Sequence, residues 1–154
     1  MAELPPYVAV CGPDQATDSE QDAAEQIGRG LADAGAVVIC GGLGGVMAAA
    51  CRGARSAGGM TVGILPGMRR QEANQWVAVA IPTGLGELRN GLIVRAADVV
   101  VAVGGAYGTL SEVALALKGG TPVVGWETWA IDGVQTAGSP QEAVARALAV
   151  RGQA

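Results

Sequence analysis

Two ionisable side chains stand beside the glycine-rich segments of this chain, and their types and spacing could do chemistry. Arg89 lies in Glu87-Leu88-Arg89-Asn90, and Glu112 closes the run Gly104-Gly105-Ala106-Tyr107-Gly108-Thr109-Leu110-Ser111-Glu112. A carboxylate in the first turn of a helix sits at the positive end of the helix dipole, which would keep Glu112 ionised. Such a group can stabilise a developing cation or orient a water. The same spacing permits a structural role. Thr109-Leu110-Ser111-Glu112 has the form of a capping box, in which Glu112 would return to the Thr109 amide. Arg89 falls early in the preceding helix, where an arginine opposes the dipole. That placement suggests a purpose other than a surface charge, while a solvated surface arginine would look the same in sequence.

What the chain lacks bounds the chemistry. Among 154 residues there is no histidine, no phenylalanine and a single lysine, Lys118. No imidazole base, histidine metal ligand or Ser-His-Asp triad can be built. A net charge of -4, a pI near 4.7 and 3% aromatic residues argue against a nucleic-acid partner. The three cysteines, Cys11, Cys40 and Cys51, match no zinc or redox spacing, so no metal or cofactor is expected. Cys11 and Cys40 end apolar runs and read as buried thiols. Neither a signal peptide nor an apolar run of about 18 residues is present, which predicts a soluble, cytoplasmic protein with no membrane partner.

The 25 glycines cluster between apolar runs. Four such loops stand out: Gly12-Pro13-Asp14-Gln15-Ala16-Thr17, Gly41-Gly42-Leu43-Gly44-Gly45, Pro66 to Gln75, and Gly104 to Thr109. Two of them lead straight into expected helices. Exposed amides at a helix start make an anion site, and glycine lets a phosphate approach them. A phosphate-bearing ligand is the expectation; the alternative is that the glycines only permit tight turns and close packing. There is no P-loop pattern and no acidic residue at the end of the second or third strand, so neither a P-loop nucleoside triphosphatase nor a dinucleotide site of the usual kind is expected.

The elements that must position these loops follow from periodicity. Short β-branched runs predict strands at Tyr7 to Cys11, Ala36 to Cys40, Thr61 to Leu65, Trp76 to Ile81, Val99 to Val103 and Pro122 to Trp126. Three- and four-residue apolar steps predict helices from Ser19 to Ala34, from the Gly41 to Gly45 loop to about Ala57, from Leu85 to Ala97, from Thr109 to Lys118, and from Ser139 to about Val150. Thr17 with Glu20 has capping-box spacing, Gly35 is a stop signal, and Ser139-Pro140-Gln141-Glu142 is a helix start. Met68 to Gln75, with Arg69 and Arg70, reads as a polar loop, and Arg95 as a helix-surface charge. Strands apolar on both faces, alternating with helices, imply a Rossmann-like doubly wound parallel sheet of about six to seven strands with helices on both faces. One domain over residues 1–154 is expected, with ligands outside the strand carboxyl ends.

The run Gly104 to Glu112 resembles the P-G-G-x-G-T-x-x-E motif of the LOG family, also labelled lysine decarboxylase-like, which includes cytokinin riboside 5′-monophosphate phosphoribohydrolases. Gly41 to Met47 is similar to that family's G-G-G-x-x-G-L-M-G, Val10-Cys11-Gly12 to its C-G-S, and Leu88-Arg89-Asn90 lies where it has M-H-x-R-K. The resemblance spans about Val8 to Val124. It implies that Arg89 and Glu112 are the catalytic pair. It also implies a phosphate or nucleotide site formed by Gly12, Gly41, Gly42, Gly44, Gly45, Met47, Gly105, Tyr107, Gly108 and Thr109. The departures are Gly104 for the motif proline, Ala106 for its second glycine, and the missing histidine. These departures and the short chain look more like the branch containing the molybdenum cofactor carrier proteins, which bind a pterin monophosphate.

Lysine decarboxylation is rejected. Lys118 ends a helix about 15 Å from its N-terminus, badly placed for an aldimine with a cofactor whose phosphate docks at that N-terminus. Two readings remain. One is an enzyme hydrolysing the N-glycosidic bond of a nucleoside 5′-monophosphate, with Arg89 holding the substrate and Glu112 stabilising the oxocarbenium-like centre or orienting water. The other is a non-catalytic carrier or sensor of a phosphorylated heterocycle such as the molybdenum cofactor. The resemblance also implies a homodimer or larger homo-oligomer, for which the Leu85 to Ala97 and Thr109 to Lys118 helices could supply the face.

Overall fold

The computed structural model describes residues 3–151. Seven strands alternate with five helices. In chain order these are β1 (Tyr7–Cys11), α1 (Asp18–Asp33), β2 (Val37–Cys40), α2 (Gly45–Ser56), β3 (Thr61–Leu65), β4 (Val79–Pro82), α3 (Asn90–Ala96), β5 (Val99–Val103), α4 (Tyr107–Gly119), β6 (Val123–Trp126), β7 (Gln135–Thr136) and α5 (Pro140–Val150). The strands form one sheet in the order β4-β3-β2-β1-β5-β6-β7. Every pairing is parallel. This is the doubly wound Rossmann-like arrangement expected from the alternation.

The period-two side-chain rule sorts the apolar runs onto two faces. Val8, Val10, Val38, Val99, Val101 and Val103 face α1, α2 and α5, where they meet Ile27, Leu31, Ala50 and Ala147. Ala9, Cys11, Ile39, Val100 and Ala102 face α3 and α4, where they meet Ile93, Val94, Val113 and Ala116. All of β5 is buried, as befits a central strand covered on both sides. Two glycines inside helices serve packing. A Cβ on Gly28 would lie 2.0 Å from the Ala50 carbonyl oxygen, and one on Gly53 would lie 2.0 Å from that of Glu25. They let the α1 and α2 backbones touch, the close-packing use that stood as the alternative for the glycine clusters, here at glycines inside helices.

Helix ends follow their signals where the signals are local. Thr17 and Glu20 form the reciprocal capping box of α1, and the Ser139 hydroxyl accepts from the Glu142 amide at the start of α5. Three expectations are corrected. The helix expected from Leu85 to Ala97 is a 3-10 turn, Gly86–Arg89, followed by the shorter α3. Gly86 has φ +59, outside helical space, and delays the α-helix. The fourth strand is Val79–Pro82 rather than Trp76 to Ile81. Trp76 instead takes part in a tight turn, in which the Val77 amide donates to the Asn74 carbonyl and the Trp76 amide to the Asn74 side chain. Helix α4 begins at Tyr107, two residues before Thr109.

The strand order reverses between β1 and β5. The chain runs outward from β1 through β4 on one side, then returns to lay β5 on the other. Loops leaving β1 and β5 therefore splay apart at their carboxyl ends and leave a crevice, the usual ligand position in such sheets.

Candidate functional site

A cleft of about 410 Å³ opens at this switch point. Its lining combines the ends of β1 and β2 (Cys11, Gly12, Gly41), the first turns of α2 and α4 (Met47, Tyr107, Gly108, Thr109), and Arg89, Asn90 and Glu112. Of the residues singled out in sequence, Gly12, Gly41, Met47, Arg89, Tyr107, Gly108, Thr109 and Glu112 line it. Gly42, Gly44, Gly45 and Gly105 do not. The Gly44 amide donates to Asp14 Oδ1 at 2.7 Å, and the Val46 amide to the Pro13 carbonyl at 3.0 Å. A Cβ on Gly45, whose φ is +57, would collide with the Pro13 and Asp14 carbonyls. The start of α2 is thus docked against the loop after β1, and amides there already have internal partners.

The start of α4 is different. Its N-cap is Ala106, no side chain caps it, and no acidic residue lies in its first turn. The first intrahelical bond runs from the Leu110 amide to the Ala106 carbonyl, so the amides of residues 107–109 lack helical acceptors. Beyond Gly108 there is open space. Thr109 is 1% exposed, and its hydroxyl has no hydrogen-bond partner among the described residues. A buried hydroxyl without a partner is costly, so such an atom calls for an explanation.

Glu112 corrects the expectation of a capping box. Because α4 starts two residues early, Glu112 falls in its second turn, away from the Thr109 amide and beyond the reach of the dipole's first turn. It is buried, and burial pushes its carboxyl up to about 7. A hydrogen bond with the Cys11 thiol and the charge of Arg89 oppose that rise without cancelling it. Burial, followed by the neighbouring Glu112, drives the Cys11 thiol well above its ordinary value. Desolvation thus opposes the full ionisation that the dipole argument expected of Glu112.

Arg89 is buried rather than solvated. Nε donates to the Ile64 carbonyl at 3.0 Å, Nη2 to the Gly41 carbonyl at 3.4 Å, and Nη1 to Asn90 Oδ1. It fastens the carboxyl ends of β2 and β3, which explains an arginine where the dipole disfavours one. Gly41 must be glycine for this approach, since a Cβ there would lie 2.6 Å from Nη2. Of the five N–H donors of a guanidinium, these three bonds leave two for a ligand. Arg89 and Glu112 share the cleft but form no ion pair within 4.0 Å. Asn90 was not singled out in sequence. Its Nδ2 donates to Ser111 Oγ at 3.0 Å, and Ser111 Oγ donates to the Gly108 carbonyl at 3.0 Å. Arg89 is thereby linked to the first turn of α4. An amide side chain next to an arginine was the only signal, and it is a weak one.

Cys40 and Cys51 lie behind the cleft with their sulfurs 3.5 Å apart, and Cys40 also accepts from the Gly42 amide. The Cys51 contact and that amide lower the Cys40 thiol, while the contact with Cys40, followed by burial, raises the Cys51 thiol. No group of three or more metal-ligating side chains occurs among the described residues.

Together the fold and cleft define a Rossmann-like domain with a pocket at the switch point of its sheet. The chain belongs to the SLOG cluster 4 family, which it matches over residues 5–151. It is 39% identical over 138 residues to an uncharacterized protein of Archaeoglobus fulgidus, covering 89% of this chain and 91% of that one. Among solved structures it resembles the molybdenum cofactor binding protein of the phototrophic bacterium Rippkaea orientalis, with TM-score 0.91 and 37% identity, covering 97% and 99% of the two chains. It also resembles the molybdenum cofactor carrier protein of Chlamydomonas reinhardtii, with TM-score 0.86 and 34% identity, covering 94% and 98%. The similarity thus lies with the branch towards which the degenerate motif points. No described helix is long and apolar enough to cross a membrane.

Proposed function

We propose that this chain binds the phosphomonoester of a heterocycle in the switch-point cleft and carries it intact. The observation that carries this reading is the buried, unpartnered Thr109 hydroxyl at the uncapped start of α4. A phosphate oxygen placed there receives the Thr109 hydroxyl and the free first-turn amides. The two remaining N–H groups of Arg89 supply a second positive wall. Glu112, half protonated near neutral pH, repels a dianion less than an ionised carboxylate would and can donate a hydrogen bond. The similar molybdenum cofactor binding protein and molybdenum cofactor carrier protein support the molybdenum cofactor, a pterin phosphate, as cargo. Native mass spectrometry and calorimetry with the molybdenum cofactor, a pterin monophosphate and AMP test the proposal. Binding with unchanged ligand is expected; no binding of any of the three refutes it.

A second reading is hydrolysis of the N-glycosidic bond of a nucleoside 5′-monophosphate. It is favoured by one observation, the carboxyl of Glu112 near 7, within the range useful for acid–base catalysis. Release of free base and ribose 5-phosphate from AMP, abolished by Glu112→Gln, would establish it over the carrier reading. We also propose that exposed Leu88 and Leu92 beside Leu115 of α4 form a homodimer face. A monomeric mass by light scattering at micromolar concentration would count against that face.

A further inference from the structure

We propose that Tyr107, backed by Trp129, is a stacking platform that selects a planar ring attached to the bound phosphate. The chain has only five aromatic residues, three Trp and two Tyr, and two of them meet at the rim of the cleft. Their ring centroids are 6.4 Å apart with planes inclined by 21°. Tyr107 lines the cleft and is 84% exposed, whereas Trp129 is not part of the lining. Trp129 therefore stands against one side of Tyr107 away from the cleft lining, and most of the Tyr107 side chain stays exposed. Trp129 is itself tied down, since its Nε1 donates to the Ala106 carbonyl at 3.1 Å, at the N-cap of α4. The turn that delivers it holds Glu127 at φ +48, the one non-glycine residue with positive φ among those described. Such strain persists only where its surroundings hold it. An open tyrosine face in water gains nothing until a flat apolar partner covers it, and fused heterocycles have such faces.

Position supports the same conclusion. Tyr107 is the first residue of α4 and Thr109 the third, so the ring projects from the turn whose amides and hydroxyl accept the phosphate. A ligand with its phosphate on Thr109 and a heterocycle one short linker away meets Tyr107. The inference rests on the anion site proposed above and adds to it the residues that hold the ring: Tyr107, backed by Trp129, favours a phosphomonoester bearing a fused planar ring over one without it.

The test compares ribose 5-phosphate, which has no planar aromatic ring, with AMP and 6-hydroxymethylpterin monophosphate by calorimetry, using wild type, Tyr107→Ala, Tyr107→Phe and Trp129→Ala. Stacking on an aromatic side chain implies that Tyr107→Ala weakens both ring-bearing ligands by about 10-fold while ribose 5-phosphate binds as to wild type. Tyr107→Phe should restore most of the loss, and Trp129→Ala should give a smaller loss of the same selectivity. Wild type binding all three probes equally, or Tyr107→Ala weakening all three alike, overturns the platform while leaving the anion site standing. Failure of wild type to bind any probe overturns the anion site, and the platform falls with it.

Discussion

Replacing Thr109 by valine changes one atom group and should move stability and affinity in opposite directions. The side chain is 1% exposed and its hydroxyl has no partner, while its shape is that of valine. An unsatisfied buried polar group costs ~1–3 kcal/mol, so Thr109→Val removes a penalty from the free protein. Taking ~1 kcal/mol as the lower end, a domain of this size should gain about 2–4 °C in Tm. The same hydroxyl, bonded to a phosphate oxygen, is a hydrogen bond to a charged group worth ~1.5–3 kcal/mol. Its loss weakens a pterin monophosphate by about 10- to 150-fold. Differential scanning fluorimetry without ligand and calorimetry with it read the two effects on one variant. A lower Tm with unchanged affinity would refute the reasoning, because the hydroxyl would then be satisfied within the protein and would not meet the ligand.

Three further perturbations follow from the same geometry. Glu112 has its carboxyl raised from 4.5 to about 7, so between those values the folded state holds a proton that the unfolded chain has lost. Stability should therefore fall as pH rises through this window, by at most about 3 kcal/mol at 1.36 kcal/mol per unit, and Glu112→Gln should flatten the urea-denaturation profile and be the more stable form at pH 8. Arg89→Lys keeps the charge but cannot reach the Ile64 and Gly41 carbonyls and Asn90 together, and a loss of about 2–4 kcal/mol in urea denaturation is expected. A stability within error of wild type would show that these bonds contribute nothing. Gly28→Ala tests the α1–α2 contact: helix propensity favours alanine by about 1 kcal/mol, yet its Cβ would sit 2.0 Å from the Ala50 carbonyl oxygen. That oxygen belongs to backbone and cannot swing away, so a net destabilisation of ~1–3 kcal/mol is expected, read as a lowered Tm.

Much of the site's location was legible before any coordinates. Strands apolar on both faces dictate a covered parallel sheet, and such a sheet places its ligands beyond the strand carboxyl ends. Gly12, Gly41 and Gly108 mark those ends, and all three line the cleft. The roles of individual residues were less legible. Gly44 and Gly45 look equivalent to Gly108 in sequence, but Asp14 and Pro13 dock on the start of α2, and only the start of α4 stays open. That difference comes from a contact spanning 30 residues, which no local pattern encodes. Arg89 could have been a solvated charge until its bonds to Gly41 and Ile64, 48 and 25 residues away, were seen.

The amino-acid order alone determined what depends on periodicity and on local backbone chemistry: the alternation of strands and helices, the caps at Thr17 and Ser139, and the exclusion of imidazole and aldimine chemistry. Tertiary structure decided what depends on burial and on where a helix starts. Moving the start of α4 from Thr109 to Tyr107 takes Glu112 out of the capping position, and burial then raises its carboxyl above the ordinary value. The same two-residue shift leaves the Thr109 hydroxyl without a partner and sets Tyr107 at the rim against Trp129. Desolvation and pairing across the fold are sums over neighbours distant in the chain, so they take values only once the chain has closed around them.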